Sequence, residues 1–426
     1  MPRPPLTGDA WGIAMKDHFT IDDLDVEGRT VIYRVDINCP LREDTLDLAN
    51  DNRIREVLPT LKELLGRRAK VIILAHQSRP GEWDYISLER HAKRTSELLG
   101  QEVAYVDDLY GEEASRAIKE MRPGTAIMLR NVRDEPGEMD KRSMEEHSRS
   151  ALVERLSRLA DFYVNDAFGA AHRSQCSLVG FQAIMPSAAG RLMEKELHAL
   201  ETVFSSPSHP CIFVLGGAKF SDAIKVVDRV LGNGIADRVI LVGLVANAFL
   251  KAKGVDLGER SERNLMKEFN DENLREAHRL LEMYGDRIQL PFDVALEVDG
   301  ARMDVPIADL PSVHPIHDIG MGSARAFEEM LRDACTVFMS GPAGKIETPG
   351  FELGTKMLMQ AAVVGHAFSV IGGGHTVSAA QRFCCCDRFS YVSTGGGALE
   401  TYILGKPMPV VDALKAAYRR ETQGRC

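Results

Sequence analysis

Phe368-Ser369-Val370-Ile371-Gly372-Gly373-Gly374-His375-Thr376 is an apolar β-type run that breaks into three glycines and then opens a helical pattern. Ser393-Thr394-Gly395-Gly396-Gly397 has the same layout a little further along the chain. Consecutive glycines let a backbone approach an anion closely, and the free N–H groups and positive dipole end of the following helix complement negative charge. Two such ends in succession suit a ligand with several phosphates. Glycines at a strand-to-helix turn also permit close packing, so either turn alone supports both readings.

Working outward, short apolar runs at 30–35, 70–75, 125–129, 162–165, 211–215, 238–242, 336–339 and 368–371 alternate with helical patterns along nearly the whole chain. Continuous apolar strands separated by helices specify parallel sheets covered on both faces, the signature of an α/β protein. At 426 residues the chain exceeds one ordinary core, so two domains are expected. A helical stretch at 193–204, followed by the breaker-rich Ser205-Ser206-Pro207-Ser208-His209-Pro210, puts the boundary near residue 200. In an open parallel sheet the ligand lies beyond the carboxyl ends of the strands, so chemistry is sought just after each run.

A formal net charge of -10 argues against general binding to nucleic acid or acidic membranes, and any phosphate site must be local. No stretch reaches the roughly 18 apolar residues of a membrane span, and the first twenty residues lack the apolar core of a signal peptide. A cytoplasmic location is expected. The eight cysteines are scattered except for Cys384-Cys385-Cys386, no CxxC pair occurs, and reduced thiols are expected.

In the N-terminal half, arginine or histidine recurs at every strand end. Arg34-Val35-Asp36-Ile37-Asn38 closes the first run, with Arg53 at the head of the next helix; His76 and Arg79 follow the second, Arg133 the third, and His172-Arg173 the fourth. Guanidinium groups bind carboxylate and phosphate bidentately, while Asp36 and Asn38 suit a hydroxyl, so a small phosphorylated acid fits this pocket. In the C-terminal half, Leu215-Gly216-Gly217-Ala218-Lys219 and Ser340-Gly341-Pro342-Ala343-Gly344-Lys345-Ile346-Glu347 join the two glycine turns as a nucleotide cleft. The spacing is not that of a Walker A loop, yet Lys219 can still neutralise phosphate charge.

The ordered blocks RVDINCP, NRI, AHQSRPG, NVR, YVNDAFGAAHRSQCS, PSAAGRLMEKEL, LGGAKFSD, DIG, SGPAG, IGGGHTV and STGGGA, spanning 34 to about 405, resemble phosphoglycerate kinase, with SGPAG and GGGHT closer to archaeal members. The resemblance implies two Rossmann-like domains with parallel sheets joined by a hinge near 187–210. It places a 3-phosphoglycerate-binding domain at 1–190, a nucleotide-binding domain at 191–409, and a segment at 410–426 that returns to the first domain. It implies that Asp36, Asn38, Arg53, His76, Arg79, Arg133 and Arg173 hold 3-phosphoglycerate or 1,3-bisphosphoglycerate. ADP or ATP, with Mg2+, would meet Gly216, Gly217, Lys219, Ser340, Gly341, Pro342, Glu347 at the ribose, and Gly372, Gly373, Gly374, His375 and Thr376. Arg53, Lys219, Gly373 and Gly396 form the implied catalytic set. No nucleic acid or membrane partner is expected, and the chain is expected to act as a monomer or homodimer.

Phosphoryl transfer needs positioning and charge stabilisation more than covalent help, so His76 is assigned to binding rather than to acid–base chemistry. Three positions depart from the common family pattern. His375 replaces an aspartate that suits magnesium, Ala223 replaces a second lysine with Lys225 nearby, and Ser340 replaces an asparagine. Arg130 and Asp134 also differ from the residues usual beside Asn131-Val132-Arg133, and read as surface drift. His172 reads as structural, Phe168 and Phe181 as core, and His91, His198 and His209 as solvated or helix-surface residues. Two alternatives compete with the kinase. One is a catalytically impaired nucleotide-binding relative with a sensing or interaction role. The other is a dinucleotide-dependent dehydrogenase, which lacks its G-x-G-x-x-G after the first strand.

Overall fold

The structure, a computed structural model, describes residues 17–263, 265 and 270–423; residues 1–16, where most of the stretch read for a leader lies, fall outside them. The chain divides into two compact units, Met1–Lys195 with Pro407–Cys426, and Glu196–Lys406.

The first unit is built on a seven-stranded sheet of β1 (Phe19–Thr20), β2 (Thr30–Val35), β3 (Lys70–Leu74), β4 (Val103–Val106), β5 (Ala126–Leu129), β6 (Phe162–Asp166) and β7 (Ser187–Ala189). Its order is β1-β7-β6-β2-β3-β5-β4 and every pairing is parallel. The four runs read from sequence here are β2, β3, β5 and β6. Three further strands, β1, β4 and β7, are two to four residues long, too short for periodicity to separate from loop.

Alternation within β2 divides the core between the two faces of the sheet. Val31, Tyr33 and Val35 pack with Ile54, Val57 and Leu61 of the helix Asn52–Gly66. Ile32 joins Leu74, Leu129, Leu152 and Leu156 on the opposite face. Each such side chain contributes roughly 1.5–3 kcal/mol of burial, which is why the strands are apolar throughout rather than alternating. Phe168 and Phe181 are fully buried, as expected. His91 is not on a helix surface: the helix Glu89–Leu99 turns it inward, where its Nε2 lies 3.1 Å from Gln77 Oε1 and burial lowers its pKa to about 4. The final helix, Pro409–Gln423, belongs to this unit; Arg420 bonds the carbonyls of Gln182 and Met185, and Tyr418 packs edge-on against Phe19.

The second unit contains a parallel sheet of β8 (Cys211–Leu215), β9 (Arg238–Leu241), β10 (Ile288–Gln289), β14 (Thr336–Ser340), β15 (Phe368–Gly372) and β16 (Tyr391–Val392), in the order β10-β9-β8-β14-β15-β16. Between β10 and β14 the chain forms a separate sheet that corrects the all-parallel expectation. In it β11 (Asp293–Val298) pairs antiparallel with both β12 (Ala301–Pro306) and β13 (Ile316–Ile319). Val298 faces Ala301, so Asp299-Gly300 is a two-residue hairpin loop with φ of 51° and 79°. Asp-Gly at such a turn favours positive φ at both positions, and this dipeptide was the signal available in the sequence. The helix Arg191–Phe204 begins two residues earlier than the expected 193.

Candidate active site

Strand register makes the N-terminal half-site. Arg34 pairs with Leu74 on one side and Asn165 on the other, so the chain segments after β2, β3 and β6 leave the sheet side by side. Asp36, immediately past β2, is buried and paired with Arg53 from the first turn of the helix Asn52–Gly66. Burial alone raises the Asp36 carboxyl, but His76, the Arg53 and Arg34 guanidiniums and the Asn38 N–H outweigh it and bring the pKa down to about 2. His76 is itself buried, and burial, aided by Arg34, Arg133 and Arg173, drives its pKa well below 6.5 against the pull of Asp36. At neutral pH the imidazole is therefore uncharged, and the Arg53 guanidinium, bonded to Asp36, holds the carboxylate. Asn38 spends its side-chain oxygen on the Ser78 N–H at 3.0 Å and so fixes the loop after β3.

Arg34, read from the sequence among the arginines at strand ends but given no ligand role, lies inside β2 with no exposure. Its Nε bonds Ser177 Oγ at 2.9 Å, its Nη2 lies 3.1 Å from His76 Nδ1, and buried Glu138 balances its charge. Glu138 is held by the Ser177 N–H and hydroxyl, each at 2.7 Å. Arg133 is buried too, with Nη2 3.4 Å from Gln175 Oε1 and, among the described residues, no partner for Nε. Burial first, then repulsion from Arg34, Arg173 and Arg79, lowers its pKa to about 10 despite Glu138. Arg173 is lowered for the same reasons, with Asp36 opposing. Thus Asp36, Arg53, His76, Arg79, Arg133 and Arg173 come within mutual electrostatic reach. Arg79 is exposed and makes no ion pair among the described residues. Gln175 and Ser177 stand within the block YVNDAFGAAHRSQCS, and Glu138 five residues after Arg133, but nothing in their local pattern marks them as partners of buried arginines.

Register also makes the C-terminal half-site. Ser340 pairs with Leu215 and with Gly372, so the turns beginning at Gly216, Gly341 and Gly373 emerge side by side. Gly341 has φ +92°, and a Cβ there would lie 2.1 Å from the carbonyl carbon of Gly216; only glycine lets the two backbones pass. The Pro342 carbonyl in turn approaches Gly216. The Gly341 N–H donates to Thr376 Oγ1 at 2.7 Å, tying this loop to the first turn of the helix Gly374–Arg382. Gly373, at φ +90°, precedes that helix, and Gly374 has open space where a side chain would be. His375 is exposed on it.

Buried Glu196 fixes the second glycine turn by accepting bonds from Ser393 Oγ and Thr394 N, both at 2.7 Å, and from Thr394 Oγ1 at 2.9 Å. Burial pushes its pKa up to about 7 in spite of these donors. Lys219, at the start of the helix Phe220–Gly232, bonds Glu400 Oε1 at 2.6 Å with both side chains substantially exposed. Ala223 packs in the core on that helix, whereas Lys225 is exposed. Glu347 is exposed, in the loop after β14. Arg130 and Asp134 pair with each other at 2.7 Å, away from the buried groups. Among the described residues no three His, Cys, Asp or Glu side chains gather to hold a metal. Imidazole at His375 is a poor ligand for hard Mg2+, so the chain's own side chains do not fit a protein-built magnesium cage.

A family model described as Phosphoglycerate kinase matches residues 21–406. The phosphoglycerate kinase of Methanothermus fervidus is 42% identical over 402 residues, covering 94% of this chain and 98% of that protein. The phosphoglycerate kinase of Methanococcus maripaludis is 43% identical over 411 residues, 94% of this chain and 99% of the relative. Among solved structures, that of phosphoglycerate kinase from Pyrococcus horikoshii superposes with a TM-score of 0.84 at 38% identity, covering 94% of this chain and all of that one (100%). The phosphoglycerate kinase structure from Coxiella burnetii gives 0.82 at 30% identity over 94% of this chain and 99% of its own.

Proposed function

The chain belongs to the phosphoglycerate kinase family, and from that premise we propose how its two half-sites divide the work. The activity is a phosphotransfer, reversible between 1,3-bisphosphoglycerate with ADP and 3-phosphoglycerate with ATP, as a step of glycolysis. The cationic pocket of Arg53, Arg79, Arg133 and Arg173 around Asp36 holds the phosphoglycerate. The observation that carries the assignment is the gathering of arginines at neighbouring strand ends with donors left over: Arg133 is buried with no partner for Nε, and Arg79 makes no ion pair, among the described residues, which suits a bound carboxylate or phosphate.

The turns at 216–219, 340–342 and 372–376 take the nucleotide phosphates, and Glu347 the ribose. The catalytic set is Arg53 on the phosphoglycerate half-site and Lys219 with the backbone N–H groups of the turns at Gly373 and Gly396 on the nucleotide half-site, each supplying positive charge to the equatorial oxygens of the transferring phosphoryl group. No general base is needed, because the attacking oxygen is already ionised, and uncharged, buried His76 is suited to binding only. Mg2+, when bound with the nucleotide, supplies charge neutralisation to the phosphates. In-line transfer requires both ligands in one water-excluded space, so we assign a hinge to the segment 187–210. We further assign a cytoplasmic location, action as a monomer or homodimer, and use in gluconeogenesis. Among the described residues no helix is long and apolar enough to cross a membrane.

The test is a coupled assay of ATP-dependent phosphorylation of 3-phosphoglycerate. Lys219→Ala is expected to lower kcat by roughly 10²–10³ and to weaken ADP binding by a smaller factor. A wild type that binds ATP but turns over no 3-phosphoglycerate defeats the functional assignment, and a Lys219→Ala enzyme of wild-type kcat defeats the role of the lysine.

A further inference from the structure

The antiparallel sheet β11–β13 carries none of the groups so far placed around either ligand, yet it is tied to the loop that does. The chain that leaves β14 at Ser340 and runs to the helix Leu353–Val364 contains Gly341, Pro342 and Glu347. This loop and the first turn of the helix are fastened to the antiparallel sheet at three points: Lys345 N–H to the His317 carbonyl at 2.8 Å, the Gly350 carbonyl to Arg302 Nη1 at 2.8 Å, and Gly354 N–H to Asp318 Oδ2 at 2.9 Å. Glu347 lies between the first two fastenings.

Arg302 is the centre of this arrangement. Its Nη1 also bonds Asp318 Oδ2, its Nη2 the Ile319 carbonyl, and its Nε Asp304 Oδ1, all at 2.8 Å. One planar guanidinium thus grips two carboxylates and two main-chain carbonyls, which only a five-donor fork can do. The Asp318 carboxylate has no exposure and the Arg302 side chain only 12%. There is little slack around it: a Cβ at Gly344 or Gly354 would fall 2.5 or 2.4 Å from Asp318 atoms.

We propose that Arg302 is a positioning residue for phosphoryl transfer: by locking Asp318 and the Gly350 carbonyl together it sets where Glu347 stands, and so governs affinity for the nucleoside di- or triphosphate. This rests on the assignment of the loop at 340–352 to the nucleotide. The three-stranded sheet is then a brace for the nucleotide loop, and the Asp-Gly hairpin brings Arg302 to the loop it holds.

A merely structural arginine would change stability and the yield of active enzyme without changing the affinity of the folded fraction for one substrate. Arg302→Lys keeps the charge but loses the fork. Its KM for ADP and its Kd for ADP measured calorimetrically are expected to rise about tenfold, with KM for the phosphoglycerate unchanged, since displacing a positioned group by a fraction of an ångström has effects of that order. Asp304→Asn, at a partly exposed partner, is expected to shift ADP affinity in the same direction by about two- to threefold and guards against a misfolded first variant. In the double variant with Glu347→Ala, Arg302→Lys should add nothing to the loss from Glu347→Ala alone.

Wild-type ADP affinity in both Arg302→Lys and Asp304→Asn, or fully multiplicative losses in the double variant, overturns the proposal. Wild-type ADP affinity in Glu347→Ala overturns instead the assignment of the loop on which it rests.

Discussion

Replacing Glu196 by glutamine tests whether one buried carboxyl ties the stability of the second glycine turn to pH. In the folded chain its pKa is raised from 4.5 to about 7, with burial as the cause, against the opposing hydrogen bonds from Ser393 and Thr394. Below pH 4.5 the side chain is protonated whether the chain is folded or not, and contributes no pH dependence. Between 4.5 and 7 the unfolded chain releases the proton and the folded chain keeps it, so stability falls as pH rises. Above 7 both states are ionised and the loss is complete, at about 3 kcal/mol for a shift of this size. Glutamine preserves the shape and one acceptor and cannot titrate. Urea unfolding of wild type and Glu196→Gln at half-unit steps from pH 4.5 to 8 gives the difference in unfolding free energy, from which the other titrating groups cancel. Glu196→Gln should gain on wild type by about 3 kcal/mol across that range. A difference that stays flat with pH refutes the argument, because the carboxyl then titrates alike in both states.

Asp36 has the opposite sign. Its folded pKa is depressed from 3.8 to about 2, so its contribution is fully present above 3.8 and disappears as pH falls through 2. Acid titration of unfolding should show wild type losing about 2 kcal/mol relative to Asp36→Asn between pH 5 and pH 1.5. Gly341→Ala should destabilise the second unit by about 3 kcal/mol or more in thermal or urea unfolding, since a methyl group cannot occupy a space 2.1 Å from the Gly216 carbonyl carbon and φ is +92°. Lys219→Ala should leave the unfolding midpoint nearly unchanged, because its ion pair with Glu400 is exposed on both sides.

The placement of much of the candidate site was legible because strand ends in a parallel sheet are marked by the residues that follow an apolar run. Asp36, His76, Arg133 and Arg173 were placed at strand ends that way, and so were the turns at 216, 341 and 372. Arg34 stood in view within β2 but was passed over, since a charged residue within an apolar strand gives no local sign of the buried Glu138 that balances it. Glu196 lay in a quoted block without a role; its partners, Ser393 and Thr394, are nearly two hundred residues away, and no periodicity links them. His91 was misplaced because its helix has polar residues on both sides and its ring meets Gln77 on another segment. The β11–β13 sheet was not legible apart from the Asp299-Gly300 turn, because β12 is largely exposed and carries no continuous apolar run.

The sequence by itself determined the apolar runs that form β2, β3, β5, β6, β8, β9, β14 and β15 and the glycine turns after them, because these follow from short-range apolar pattern and backbone sterics. The ordered motifs carried the family resemblance from 34 to about 405. Only the tertiary structure decided which charges are buried, which of them are paired, and what holds each loop in place. Desolvation, ion pairing and the fork of Arg302 act between residues that the chain brings together only by folding. An uncharged His76, a depressed Asp36, a raised Glu196 and the clamp on the nucleotide loop are therefore properties of packing, and no window along the sequence contains them.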